Sequence, residues 1–575
     1  VQATADWTLI FDQTNGLRTG RLSESYAYIR KLAAYSPKAK VIRYGTSPQG
    51  RDMLALLISD EKNFSPEQWA KSDKPTIFIQ NGIHSGEIEG KDASLILARE
   101  LLVEKKHAAF LKNVNIVLVP VFSVDAHERF GPYNRVNQNG PVEMGWRATA
   151  QNLNLNRDWM KADSPEMRGQ IGLVQRYRPD FFFDNHTTDG SDYQYVLTLG
   201  IPWAQTIAPK AAKFGRDLYA QIKTDCEKAG FPTAPYFGMA DRTDPSKGIS
   251  VTDYSPRFSH GYLATMDRPG MLVETHVLKP YKQRVEATHR VMLETIQYCI
   301  ANKAALKQMN RDSDAAASAA KDGSKFVLSS RLTAERTPFT FLGYEYAPKP
   351  SAITGDQIAA WRRDKPTTVN TFVRWNFEPE TIATAPAAYA VPPEWQAVNQ
   401  TLALHGLMSY TIGREAKTFG QVTRFSNVKF PSQPFESRFQ PNYQSATAVE
   451  PVTLPVGTRI YPINQKNAKL LVHLLAPNGP DSLLKWGSFN PIFEQKEYAE
   501  DYAMEPYAKK MLEADASLKD EFEKRLQEPA FKNSASARLN FFFERSPFFD
   551  KALNRYPVVM FSAEQLATIQ KNSRQ

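Results

Sequence analysis

The feature that most restricts this chain is an alternation, in its first half, of uninterrupted apolar runs with amphipathic stretches. Pro75–Ile83 (PTIFIQNGI), Asn113–Phe122 (NVNIVLVPVF) and Pro179–Phe183 (PDFFF) lack the in-out pattern of a half-solvated strand. Strands of that kind belong inside a sheet covered on both faces, and the helices between them supply the cover. Glu89–Lys106 is one such helix. Another starts at Ser164-Pro165-Glu166, with a serine cap, a proline in the first turn and an acidic residue after it, and runs to about Tyr177. Earlier, Ser23–Tyr35 sets Tyr26, Ile29 and Ala33 on one helical face, and Lys40–Tyr44 and Met53–Ser59 form a strand pair around the turn GTSPQGR. Later, residues about 203–230 and 281–308 are expected to be helices and Met271–Val273 a strand. The fold class is α/β: a mixed, mostly parallel sheet flanked by helices.

The character then changes. Gln308–Lys325 is polar and rich in Ala, Ser and Asp, which reads as a linker or exposed loop. Beyond it come short runs rich in Thr, Val, Tyr, Phe and Pro, such as Thr368–Phe377 and Leu470–Leu475, the pattern of a β-rich accessory domain. From about residue 495 charged helical segments return. The expected division is 1–308 for the α/β domain, 309–325 for a linker, 326–485 for the β-rich domain and 486–575 for a helical C-terminal segment.

Several function classes fall away. The net charge of +10 comes from 71 basic and 61 acidic residues that are interspersed, without the basic block expected of a nucleic-acid binder. No apolar run approaches the ~18 residues of a membrane span. Val1-Gln2-Ala3-Thr4 is polar and does not read as a signal peptide. Cys226 and Cys299 stand far apart, so they form neither a zinc site nor a disulfide framework; one bridge or two buried thiols are the open alternatives. There is no G-x-S-x-G elbow, and Gly90-Lys91 lacks the rest of a phosphate-binding loop.

What stays is a constellation at strand ends. His84 follows TIFIQNGI, His186 follows FFFDN and Glu274 follows MLV, all at the rim where open α/β sheets bind ligands. A lone histidine at a strand end is more often a hydrogen-bonded surface residue, and an H-x-x-E pair alone is a weak motif. Their convergence is the signal. In His84-Ser85-Gly86-Glu87 an imidazole and a carboxylate share a tight turn, with Gly86 expected to permit the sharp backbone. With His186 they make a His₂Glu set, the donor set of a catalytic zinc that keeps its fourth position for water.

In this order of motifs the chain resembles the zinc carboxypeptidase family, the group that includes pancreatic-type carboxypeptidase A. YGTSPQGRDMLALLIS (44–59) looks like the hairpin entering the domain, HSGE (84–87) the metal pair, NLNRDW (154–159) the "D-x-N-R-N" stretch, FFFDNH (181–186) the third ligand and MLVE (271–274) the catalytic glutamate. The resemblance covers roughly residues 20–305 and points to a bacterial-type member with a β-rich C-terminal extension. It implies one Zn²⁺ on His84, Glu87 and His186, with Glu274 activating the zinc-bound water and returning the proton to the leaving amine. It further implies that Arg147 helps hold the oxyanion and that Asn156 and Arg157 grip the C-terminal carboxylate. Tyr254 is the tyrosine expected to close over the substrate, with Tyr262 as competitor.

One departure is Asn154, where the family usually has an Asp that orients a ligand histidine; an Asn oxygen accepts the same N–H without supplying charge. Asp184 and His276 each lie two positions from a site residue on the same strand face, and are expected to be supporting contacts or structural. Arg257, His260, Asp267 and Arg268 are candidates for setting the preferred terminal side chain. The activity implied is hydrolysis of a peptide bond beside a free C-terminal carboxylate, on a peptide or acyl amino acid substrate. A murein-peptide amidase, an N-acyl amino acid deacylase and a non-catalytic binding protein of the same fold are the alternatives. The family's habit implies a secreted or periplasmic protein.

Overall fold

Eight strands build the sheet that the apolar runs require. They are β1 Ala39–Thr46, β2 Asp52–Ile58, β3 Thr76–Asn81, β4 Asn115–Val119, β5 Phe181–Thr188, β6 Leu197–Gly200, β7 Thr233–Pro235 and β8 Gly270–His276. This is a computed structural model, which describes residues 7–574; the polar start Val1-Gln2-Ala3-Thr4 lies outside the described residues. The spatial order is β1-β2-β4-β3-β5-β8-β6-β7. The central run β4-β3-β5-β8 is parallel, as is β6 with β7, while β1/β2, β2/β4 and β8/β6 are antiparallel. Every residue of β3 and β4 is buried, which explains why their sequences do not alternate.

Helices α1 Leu22–Tyr35, α2 Glu89–Leu102, α3 Pro165–Tyr177, α4 Pro209–Lys228 and α5 Tyr281–Ala301 cover the sheet. The start of α3 is as read: Ser164 Oγ accepts from the Met167 N–H at 3.0 Å, and Pro165 follows it. Helix α2 is buried along nearly its whole length, including Glu89. Its carboxylate pairs with Arg284 of α5, itself fully buried, and also accepts from Thr187 Oγ1 at 2.6 Å at the end of β5. Removing one partner of such a pair leaves an uncompensated buried charge, at a cost of about 3–5 kcal/mol.

Two expectations need correction. Gln308–Lys325, including 309–325, is not mainly a linker. Helix α6 Lys303–Ser318 occupies most of it, after a break in the expected 281–308 helix at Asn302. Alanine is the strongest helix former, and Leu306 and Met309 give α6 a buried side. Asp314 ties it down through Arg178 at 3.0 Å and Arg268 at 2.7 Å. Leu470–Leu475 is not a strand but lies in helix α7 Ala468–Leu475, buried along its length. A short apolar run suits a buried helix as well as a buried strand.

Antiparallel strands dominate the stretch after α6. Strands 337–346 and 361–374 pair with each other, and the second continues in parallel onto Ile249–Ser250 of the first half. A six-stranded antiparallel sheet contains the long hairpin 416–429/442–454 and also takes strand 559–561 from the otherwise helical C-terminal segment. One apolar core runs from Trp7 through β3 and β4 to Tyr389, Trp486 and Met560, so the two halves are packed together. Cys226 and Cys299 are both buried free thiols, which decides between the two readings of the cysteines. No helix among the described residues is long and apolar enough to cross a membrane.

Glu166, at the start of α3, is fully buried, and neither carboxylate oxygen has a hydrogen-bond partner. Burial first, then the charges of Asp125 and Asp158, push its carboxyl from 4.5 up to about 7. The folded chain therefore keeps a proton that the unfolded chain releases, and stability falls as pH rises through that interval. Glu166→Gln is expected to raise the thermal midpoint at pH 8 and to lose that advantage as the pH is lowered to 5. Calorimetry at both pH values checks this; equal shifts at the two would contradict it.

Candidate active site

Strand register brings the site together. In the parallel pair β5/β8, His186 lies opposite Glu274, and in β3/β5 Gln80 lies opposite Asp184. The chain leaves β3 at Asn81, bends at Gly82 (φ 65°), and closes the turn His84–Glu87 with a Glu87 N–H to His84 carbonyl bond of 2.9 Å. Gly86 is required for a different reason from the one expected. A side chain there would stand 2.7 Å from Arg135 Cγ and 3.0 Å from the Gly145 carbonyl, so glycine serves close approach rather than an unusual backbone.

Glu87 is the hub. Its Oε2 lies 2.9 Å from His186 Nδ1 and 3.2 Å from His84 Nδ1, and the two rings are 5.1 Å apart. One donor atom from each of the three residues falls within 4.8 Å of the others, and all three are buried. The outer ring nitrogens are engaged elsewhere: His84 Nε2 is 2.9 Å from Asn154 Oδ1, and His186 Nε2 is 2.8 Å from Asp184 Oδ2. Without a metal each Nδ1–H can donate to Glu87; with the proton kept on Nε2 and lost from Nδ1, both Nδ1 lone pairs would face the space beside Glu87, the tautomer that a metal-ligating histidine needs. Asn154 thus accepts from the imidazole, and Asp184, fully buried, supplies the negative charge that Asn154 lacks.

The electrostatics fit a cation. Burial raises Glu87, but His84, Arg135 and the hydrogen bonds from both imidazoles outweigh it and hold the carboxyl well below its usual range. Burial lowers His186, yet Asp184 and Glu87 on its two sides prevail and raise it. Surroundings that favour a proton on that ring also favour a divalent ion beside it. The residues present fit zinc in donor type, number and tautomer. Glu274, 7% exposed, has an Oε2 without a hydrogen-bond partner. Burial pushes its carboxyl up to about 8; His186 opposes this and Glu87 adds to it.

The eight residues given metal, catalytic or substrate-binding roles from the sequence line one cavity of 680 Å³. Arg147, about half exposed, reaches Glu87 Oε1 at 3.1 Å. Arg157 lies 4.3 Å over the Phe258 ring, and Asn156 Oδ1 accepts from the Ser259 N–H at 3.2 Å. Tyr254 stacks parallel to Tyr236 and against His260, with its hydroxyl buried and unpartnered. Its competitor Tyr262 is fully buried outside the cavity, its hydroxyl 2.8 Å from His405 Nδ1. His276 bonds the Ser191 carbonyl at 3.1 Å and packs on Tyr193, a structural role. Of the four candidates for side-chain preference only His260 lines the cavity; Arg257 pairs with Asp481, Asp267 with Lys469 and Arg268 with Asp314.

Arg135 and Tyr236 are cavity residues that the sequence reading missed and that act on the site's charges. Arg135 Nη2 lies 3.0 Å from Glu87 Oε1, and Tyr236 sits close enough to Glu274 that this charge, with burial, raises its hydroxyl. Neither PYNRVNQNG nor APYFG carries a motif that would have singled them out.

The protein is expected to bind one equivalent of zinc, measurable by metal analysis after dialysis. His84→Ala or His186→Ala should abolish retention. Asp184→Asn should weaken zinc about 10–100-fold in a chelator competition; unchanged affinity would remove Asp184 from the metal's support.

Comparison with known proteins agrees with this site. Residues 25–191, which include the three ligands but end before Glu274, match the profile of the zinc carboxypeptidase family. Carboxypeptidase 2 of Trichophyton rubrum and that of Trichophyton tonsurans are each 20% identical over 455 residues, covering 77% of this chain and 78% of theirs. Among solved structures, a metallo-carboxypeptidase from Burkholderia cenocepacia is 16% identical with a TM-score of 0.36, covering 48% of this chain and 68% of that one. Carboxypeptidase A from Helicoverpa armigera is 17% identical with a TM-score of 0.37, covering 50% and 75%. The profile match and the His-Glu-His ligand set fall on the same stretch of chain, so this part of the sheet domain is similar to zinc carboxypeptidases, peptidases of the hydrolase class, and carries a candidate zinc site.

Proposed function

We propose that this protein hydrolyses the peptide bond next to a free C-terminal carboxylate. The observation that carries this reading is one cavity holding the three-ligand set, an unpartnered buried carboxylate on Glu274, and the guanidinium of Arg157.

Arg157 reads the substrate's carboxylate, since its fork donates two parallel hydrogen bonds and Phe258 braces its plane. Asn156 assists: the Ser259 N–H holds its Oδ1, which leaves the amide N–H₂ as the donor. Zinc, when bound by His84, Glu87 and His186, supplies Lewis acidity and a water of lowered pKa. Glu274 accepts the proton of the attacking water at its free Oε2 and delivers it to the leaving amine. Glu274, raised by burial, would regain its basic form beside a cation held by His84, Glu87 and His186. Arg147, half exposed and anchored at Glu87, donates to the carbonyl oxygen as negative charge develops there.

Glu274→Gln should keep its zinc and lose hydrolysis of N-blocked dipeptides; unchanged turnover would remove Glu274 from the mechanism. Arg147→Ala is expected to lower kcat by about 10²–10³ with a smaller effect on KM. A matched panel of peptides, their C-terminal amides and N-acyl amino acids tests the substrate class. Turnover of the amides at the rate of the acids would overturn the assignment of Arg157, and turnover of the acyl amino acids alone would favour the amidase reading.

A further inference from the structure

The long hairpin of the β-rich region ends in the loop 430–441, which lies against the segment that carries Asn154, Asn156 and Arg157. Arg438 grips Asp163 with two hydrogen bonds, one of 3.0 Å from Nε to Oδ2 and a second from Nη2 to Oδ1. Asp163 also receives Lys161 Nζ at 3.0 Å, and the same ammonium lies 2.7 Å from buried Asp158. Phe435 stacks on Trp486, their ring centroids 6.0 Å apart, and the Arg257 guanidinium packs over both rings. These contacts tie the loop to Asp163, Arg257 and Trp486.

Glu436 is at the end of this clamp. Its Oε2 accepts the backbone N–H of Asn154 at 3.3 Å, and Asn154 in turn holds His84. Among the charges acting on Arg157, that of Glu436 is foremost and opposes the repulsion from Arg147 and Arg257. Arg147 at the cavity and Arg257 outside it both repel the Arg157 guanidinium, and an acidic neighbour offsets this. Glu436 and Ser437, both at positive φ (49° and 64°), are the two central residues of a tight turn closed by Phe435–Arg438 backbone hydrogen bonds of 2.9 and 3.0 Å, which fixes where the Glu436 side chain starts.

We infer that the 430–441 loop of the β-rich region is a structural part of the active site, with Glu436 the positioning residue that holds the 154–157 turn and keeps Arg157 aimed at a substrate carboxylate. The role given to Arg157 rests on the function proposed above; the contact with Asn154 does not.

The test compares wild type, Glu436→Ala and Glu436→Gln in the full chain by amide hydrogen exchange of residues 154–157, by kinetics on an N-blocked dipeptide, and by inhibition with N-acetylphenylalanine. Glu436→Ala should speed exchange at Asn154 and raise KM and the inhibition constant together by about tenfold, with kcat within about twofold. Glu436→Gln keeps an acceptor for Asn154 but no charge, so it should preserve slow exchange while still raising KM; as a near-isostere it also controls for misfolding. Exchange and KM both unchanged in Glu436→Ala would overturn the inference, as would a fall in kcat at constant KM. A wild type that cleaves no member of the panel would sink the proposed function instead, and the exchange arm would still decide whether Glu436 holds the turn.

Discussion

Glu87 is 3% exposed, and an ionised carboxylate so far from water costs several kcal/mol unless positive charge and donors surround it. The fold meets that demand from four places in the chain: His84 in the same turn, His186 in β5, and Arg135 and Arg147 from the segment between β4 and β5. The groups that satisfy Glu87 are the same ones that build the site. Asn154 and Asp184 then fix the two imidazoles from behind, and Ser259 and Gln80 hold Asp184. A buried network with this many paired members is rigid, which suits a site that must hold a metal in one geometry. The other side of the cavity is looser, with half-exposed Arg147 and the unpartnered hydroxyl of Tyr254.

The β-rich region is built into this arrangement. Its side chains share one apolar core with the sheet, and its strand 361–374 extends a short strand of the first half. Asp192 pairs with Lys279 and with Arg363 of that strand. Through the 430–441 loop the same region reaches the segment that carries Asn156 and Arg157. Burial of apolar surface holds the halves together, and the ion pairs at the seam set their alignment.

Much of the sheet domain was legible because its signals are local. Full burial shows directly as unbroken apolar runs in β3 and β4, and the capping serine and following proline mark where α3 begins. His84, His186 and Glu274 could be picked out because strand ends in such a sheet converge at one rim. The misreadings have equally plain causes. In α6 the polar residues that suggested a loop are the solvent face of a helix whose buried side is thin. In α7 the apolar run is buried all round, and periodicity does not separate that case from a strand.

By itself, then, the sequence determined the order of the central strands and of the helices between them and which chemical groups stand at those strand ends, since both depend on residues a few positions apart. Only the tertiary structure decided that Arg135 joins Glu87, that Asp184 rather than Asn154 brings charge to the imidazoles, that Tyr254 and not Tyr262 lines the cavity, and that Glu436 reaches Asn154. These contacts join segments distant along the chain, and each repays its ordering entropy only once the whole fold has brought its partners together. No local pattern encodes them.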